Sequence, residues 1–166
     1  MATERIDGLT FRRVMASFPA GVAVVTTLDP EGRPRGLTTT ALASVSLEPP
    51  LLLVCVDRAS RTLPALRHAR AFAVNVLGAR HARLAHHFAS KADDKFAELT
   101  WARGGDGLPI LQEHCVAWAE CLTRQEFDAG DHVILIGEVV RGEAESDRAS
   151  LIYLRRAFGH FSALEA

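Results

Sequence analysis

A chain of 166 residues, 48% hydrophobic and 23% charged, has the composition of one folded domain spanning residues 1–166, with enough apolar side chain for a core that needs no disulfide or structural metal. Its 19 basic and 20 acidic residues leave a formal net charge of -1, so there is no net electrostatic footprint for nucleic acid or an anionic membrane. Met1 to Gly8 has no apolar signal segment, and the longest apolar runs, near Leu51 to Val56, are too short to cross a bilayer; a cytoplasmic protein is expected.

The first element is a short helix through Leu9, Phe11, Val14, Met15 and Phe18, with Asp7 or Thr10 as cap and Pro19 to Gly21 as terminator. Val22 to Leu28 reads as a strand, and Asp29-Pro30-Glu31-Gly32 as the turn of a hairpin whose second arm runs from Arg35 to Leu47. Glu48-Pro49-Pro50 ends that arm. Leu51 to Val56 is read as a strand buried on both faces, Thr62 to Arg70 as a short helix with Pro64 in its first turn, and Ala71 to Leu77 as another buried strand. Ala79 to Ala92 is helical. Phe96 to Pro109 is a glycine-rich loop around a brief strand at Leu99 to Ala102. His114 to Arg124 and His132 to Val140 are strands joined by a turn over Phe127 to Asp131, and a last strand covers Leu151 to Tyr153. Hairpin-linked strands with only short helices predict a mainly β, antiparallel barrel with helices outside it.

Dinucleotide-binding, P-loop, nucleophile-elbow and zinc-protease motifs are all absent from the sequence. His81, His86 and His87 read as solvated surface rather than ligands, and no metal site is expected. Asp93 and Asp94 read as a solvated turn, Trp101 and Trp118 as core. Cys55, Cys115 and Cys121, odd in number and set in apolar stretches, read as buried thiols without a disulfide.

Two segments carry more chemistry. Gly36 to Ser46 concentrates hydroxyls and small side chains along a strand, which lets a flat ligand approach the backbone closely. Asp57-Arg58-Ala59-Ser60-Arg61-Thr62 opens a helix with two hydroxyls, a guanidinium and free amides, a setting for an anion; taken alone, Ser60 and Thr62 are also ordinary helix N-caps.

With Phe18-Pro19-Ala20-Gly21-Val22, Thr38 to Pro50, Ser60-Arg61-Thr62, Phe72 to Leu77, Lys95-Phe96 and Gly130-Asp131-His132 in this order, the chain from Phe11 to Phe161 resembles the short-chain flavin reductases of two-component monooxygenases. The resemblance implies an antiparallel split β-barrel with short flanking helices, the FMN-binding split barrel. It implies that Thr38, Thr39, Thr40, Ala41 and Ser44 line the ribityl chain and ring of FMN or FAD. Ser60, Arg61 and Thr62 would hold the flavin phosphate, and Lys95 and Phe96 would lie near the ring. Asp131 and His132 would meet the nicotinamide of NADH or NADPH, with His132 the catalytic residue that orients the donor. The C-terminal stretch Tyr153 to His160 matches the family's aromatic and basic strand only loosely, so no dinucleotide contact is assigned there.

The implied reaction is hydride transfer to flavin, backbone amides near Thr40 and Ser44 stabilising the charge that develops on the ring. Without a dinucleotide fingerprint the donor would be held by stacking, and reduced flavin would pass to a monooxygenase. A homodimer is implied as well. Other readings are a flavin-binding sensor or carrier without turnover, an oxidase or cobalamin-type reductase on the same fold, and a nucleic-acid-binding barrel, for which the basic aromatic stripe is missing.

Overall fold

The β-branched run after Gly21 forms the expected hairpin. In the computed structural model, which describes residues 5–145 and 147–163, β1 (Ala20–Gly21) leads into β2 (Ala23–Leu28), which turns back as β3 (Pro34–Thr39). Gly32 supplies the turn's positive φ of 75°. Asp29 closes it, accepting from the Glu31 and Arg33 amides at 3.1 and 2.9 Å and from the Arg33 and Arg35 guanidinium groups at 3.0 Å. Burial alone would raise this carboxyl, but those donors outweigh it and hold its pKa at about 2.

The arm expected from Arg35 to Leu47 is two strands. β3 pairs with β2, whereas β4 (Leu42–Ser46) pairs with β5 (Leu51–Asp57). The chain breaks at Thr40-Ala41, where the Thr39 hydroxyl accepts from the Ala41 amide at 3.0 Å; a local hydroxyl bond has replaced a ladder bond. β6 (Ala71–Leu77), β9 (Cys115–Ala129) and β10 (His132–Ala144) complete an antiparallel seven-stranded sheet in the order β3-β2-β6-β9-β10-β5-β4. Its two end strands are neighbours in sequence, so the sheet curls; the Cys55 amide, donating to Ala41 O at 3.0 Å, carries the β4–β5 ladder one residue beyond Leu42 to the break. The ladder itself stays open along β3. The mainly β antiparallel class is as expected.

Other boundaries shift for local reasons. β9 and β10 run on to a tight turn at Gly130-Asp131, shorter than the expected Phe127 to Asp131, because Gly130 takes φ 64°. The strand expected at Leu99 to Ala102 lies instead at β7 (Ala102–Arg103), paired with β8 (Pro109–Ile110). β11 (Ile152–Leu154) pairs with both β1 and β12 (Ala157–Gly159). The last strand escapes sequence reading because Arg155 and Arg156, at φ 49° and 67°, make a turn that glycine or asparagine would ordinarily announce.

Three helices flank the sheet: α1 (Gly8–Ala16), capped by Asp7 through Thr10 N–H at 2.7 Å, α2 (Leu63–Ala69) and α3 (Ala82–Ala89). None is long and apolar enough to cross a membrane, among the described residues. β2 is buried on both faces: Ala23 and Val25 pack inward with Val54, Phe72, Val74 and Leu135, while Val22 and Val24 pack outward with Phe88, Leu111 and Leu151. β5 is not buried on both faces as expected. Val54 and Val56 enter the core, while Cys55 and Asp57 face the other way.

Candidate active site

Three contacts fasten α3 and the chain after it to the open edge of β3. Gly36 has no side chain because a Cβ would lie 2.7 Å from the Phe88 ring, so α3 packs directly on the strand. Thr38 Oγ1 donates to Ala85 O at 2.7 Å, and Lys95 Nζ donates to Phe88 O at 2.7 Å and to Gly36 O at 3.2 Å. From the other side, Thr62 Oγ1 donates to Gly36 O at 3.1 Å. A cleft of about 690 Å³ remains between these elements, within the ordinary range for a cofactor-sized ligand.

Its floor comes from β5 and β10. Cys55 and Asp57 alternate with the buried valines, and His132 pairs directly with Asp57, which puts its ring on the same face. One wall is β3 with Thr40 and Ala41. β3 ends the sheet, so part of its backbone faces the cleft rather than another strand. The other walls are the Ala59 to Thr62 turn and the segment from Phe88 to Phe96.

The electrostatics are uneven. Arg35, Arg61, Lys91 and Lys95 all line the cleft. Lys95 is half-buried, and burial, then the Arg61 charge, lowers its pKa from the usual lysine value. Arg61 Nη1 donates to Asp93 Oδ1 at 2.6 Å and to Lys91 O at 3.0 Å, while Arg35 Nη1 reaches Asp93 O at 3.2 Å. His132 Nδ1 lies 2.8 Å from Asp131 Oδ1. The hydrogen bond with His132, and then the attraction of that ring, hold the Asp131 carboxyl below its usual value; a carboxylate can only accept, so Nδ1 is the donor of this bond.

Thr38, Thr39, Thr40, Ala41, Ser60, Arg61, Thr62, Lys95, Phe96 and His132 all line this cleft. Several do so as struts. Thr62 occupies the N-cap position of α2 without a side-chain capping bond, its hydroxyl being engaged by Gly36 instead. Ser60 Oγ accepts from Thr62 N–H at 3.3 Å, which leaves its own proton to donate. Phe96 is mostly core, packed edge-on to Phe88 with centroids 5.1 Å apart. Ser44 lies outside the cleft, on exposed β4 opposite Leu52, and Asp131 reaches it only through His132. Arg35, Cys55 and Asp57 join the site without having been expected there; the alternation of β5 against its buried valines was the signal for the last two. His87 Nε2 donates to Lys95 O at 2.9 Å and His86 packs edge-on to Phe158, so both serve packing.

The flavin reductase like domain family model matches residues 15–162. A flavin reductase (NADH) of Kitasatospora aureofaciens is 44% identical over 99% of this chain and 87% of its own. The reductase component of a 4-nitrophenol 4-monooxygenase/4-nitrocatechol 2-monooxygenase of Rhodococcus opacus is 38% identical over 95% of this chain and 83% of its own. Among solved structures, the NADH:FAD oxidoreductase of Streptomyces globisporus C-1027, in complex with NAD and FAD fragments, superposes with a TM-score of 0.88 at 35% identity, covering 96% of this chain and 98% of that one.

Proposed function

Because the chain belongs to the flavin reductase like domain family, we infer that it transfers hydride from NADH or NADPH to FMN or FAD in this cleft and supplies reduced flavin to a monooxygenase component. One observation carries the reading: an open strand edge rich in hydroxyls, a cationic turn and a carboxylate-supported histidine all meet in one cofactor-sized cleft. The fit is chemical as well as spatial. A flavin needs room for its ring, polar groups at the ring edge and cations for its phosphate, and this cleft offers each.

The flavin supplies the hydride-accepting ring when bound. The chain's own residues bind and orient. The β3 edge through Thr40 and Ala41 presents backbone polar groups to the ring, and Ser60 and Arg61 hold the phosphate by charge-assisted bonds. Thr38, Thr62 and Lys95 keep the cleft at its width through the carbonyls they hold. Asp131 fixes the His132 ring with Nδ1 toward the carboxylate, leaving Nε2 to face the donor. With no fingerprint loop to grip its pyrophosphate, the donor, NADH or NADPH, would be held mainly by stacking. The free thiols Cys55, Cys115 and Cys121 suit the reducing cytoplasm. With protein far below the flavin concentration, nicotinamide absorbance is expected to fall through many turnovers; one equivalent consumed and no more would identify a carrier instead.

The same reading makes the protein a homodimer. α1 buries no residue, and Leu9, Phe11, Val14, Met15 and Phe18 stand 49–68% exposed, although a helix of nine residues is marginal without cover. Val45 and Leu47 add apolar surface at and just beyond β4. Light scattering is expected to give about twice 18.0 kDa, and Phe11→Asp with Val14→Asp to halve it. An active wild-type monomer of 18.0 kDa at micromolar concentration contradicts the dimer.

A further inference from the structure

Arg61 meets a carboxylate of its own chain before any ligand arrives. Its Nη1 donates to Asp93 Oδ1 at 2.6 Å and to Lys91 O at 3.0 Å, and Arg35 fixes the Asp93 carbonyl from below at 3.2 Å. Asp93 is therefore held by its backbone while its side chain, 96% exposed, is free to swing. Asp57, on the cleft floor, is the other carboxylate lining the cleft, and it is turned onto the Ala59 amide at 2.7 Å. Asp93 is thus the acid that faces the cations.

Resting on the flavin reading above, we propose that Asp93 is a specificity-determining residue, a built-in competitor for Arg61 that disfavours the monoester phosphate of FMN more than the pyrophosphate of FAD. A phosphomonoester carries a charge of about -1.5 to -2 at neutral pH. A pyrophosphate diester spreads a similar total over two phosphorus atoms with one charge each, so the phosphate nearest Arg61 would carry a single charge and the second would lie farther from Asp93. At equal separation the repulsion from Asp93 scales with that charge, and riboflavin, with no phosphate, feels none of it. An exposed ion pair is weak enough to be displaced, so Asp93 tunes affinity and keeps reduced flavin free to leave.

Dissociation constants for FMN, FAD and riboflavin, from quenching of flavin fluorescence, test this on the wild type, Asp93→Asn and Arg61→Gln at low and raised salt. Asp93→Asn is expected to tighten FMN about three- to tenfold and FAD by a smaller factor, with riboflavin within about twofold. Raised salt shrinks the FMN gain. If Arg61→Gln weakens FMN and spares riboflavin while Asp93→Asn leaves FMN unchanged or weaker, the phosphate site stands and the competition is overturned. If neither variant alters the ratio of FMN to riboflavin affinity, the phosphate end of the flavin reading fails, and the proposal with it.

Discussion

Replacing His132 by alanine is expected to slow flavin reduction at limiting NADH by about 10- to 100-fold, ~1.4–2.7 kcal/mol of lost transition-state stabilisation. The ring lies on the cleft floor opposite Asp57, and Asp131 holds it in one orientation. In the proposed role it touches the donor rather than the phosphate arm, so flavin affinity should move less than about threefold. With its side chain 43% exposed, its loss costs little stability, about 0.5 kcal/mol at most. Asp131→Asn should give a smaller rate loss, since the ring stays but its tautomer is no longer fixed. Stopped-flow reduction separates these effects from flavin release. A folded His132→Ala protein that reduces flavin at the wild-type rate at every NADH concentration removes the proposed role.

The second large effect is structural. Glu120 of β9 is fully buried, pairs with Arg141 of β10, and accepts from the Gly105 amide at 3.0 Å and the Asp106 amide at 3.5 Å. The β7–β8 turn is shaped around this pair. A side chain at Gly104 would collide with the Glu120 carboxylate, and one at Gly105 with the Arg141 guanidinium at 2.5 Å. Glu120→Leu leaves two amides without their acceptor and Arg141 without one of its partners, a loss of about 2–4 kcal/mol. That corresponds to a Tm lower by roughly 5–15 °C for a chain of this size. Glu120→Gln keeps one acceptor oxygen and should lose about half as much. None of the residues from Gly104 to Gly107 lines the cleft, so flavin affinity and the reduction rate per folded molecule should be unchanged. A Glu120→Leu protein that melts with the wild type contradicts this account of the turn.

Elements whose instructions are local were legible in the sequence. β6 has the boundaries its apolar run predicts, and Asp7 caps α1 as a short acidic residue before a periodic segment should. Features settled by distant partners were not. Nothing in the run of threonines marks the break at Thr40-Ala41, because it is set by distant partners: β3 before it pairs with β2, and β4 after it pairs with β5. Thr62 looked like a helix cap, yet a carbonyl 26 residues earlier claims its hydroxyl. Asp93 looked like a solvated turn until folding brought Arg61 to it across 32 positions. Glu120 sits between Ala119 and Cys121 with no hint in its strand of the two amides and the guanidinium that make its burial tolerable. The cleft residues were found as separate segments in order along the chain, while their convergence on the β3 edge is a property of the curled sheet.

Anaerobic stopped-flow mixing of NADH with flavin bound to the wild-type protein tests the central claim most directly. The flavin absorbance should bleach in a single phase whose rate saturates with NADH, and reduced flavin should then be released to a second flavin-binding protein in the mixture. Bound flavin that stays oxidised under excess NADH and NADPH, in a folded protein that binds it in this cleft, would contradict the account.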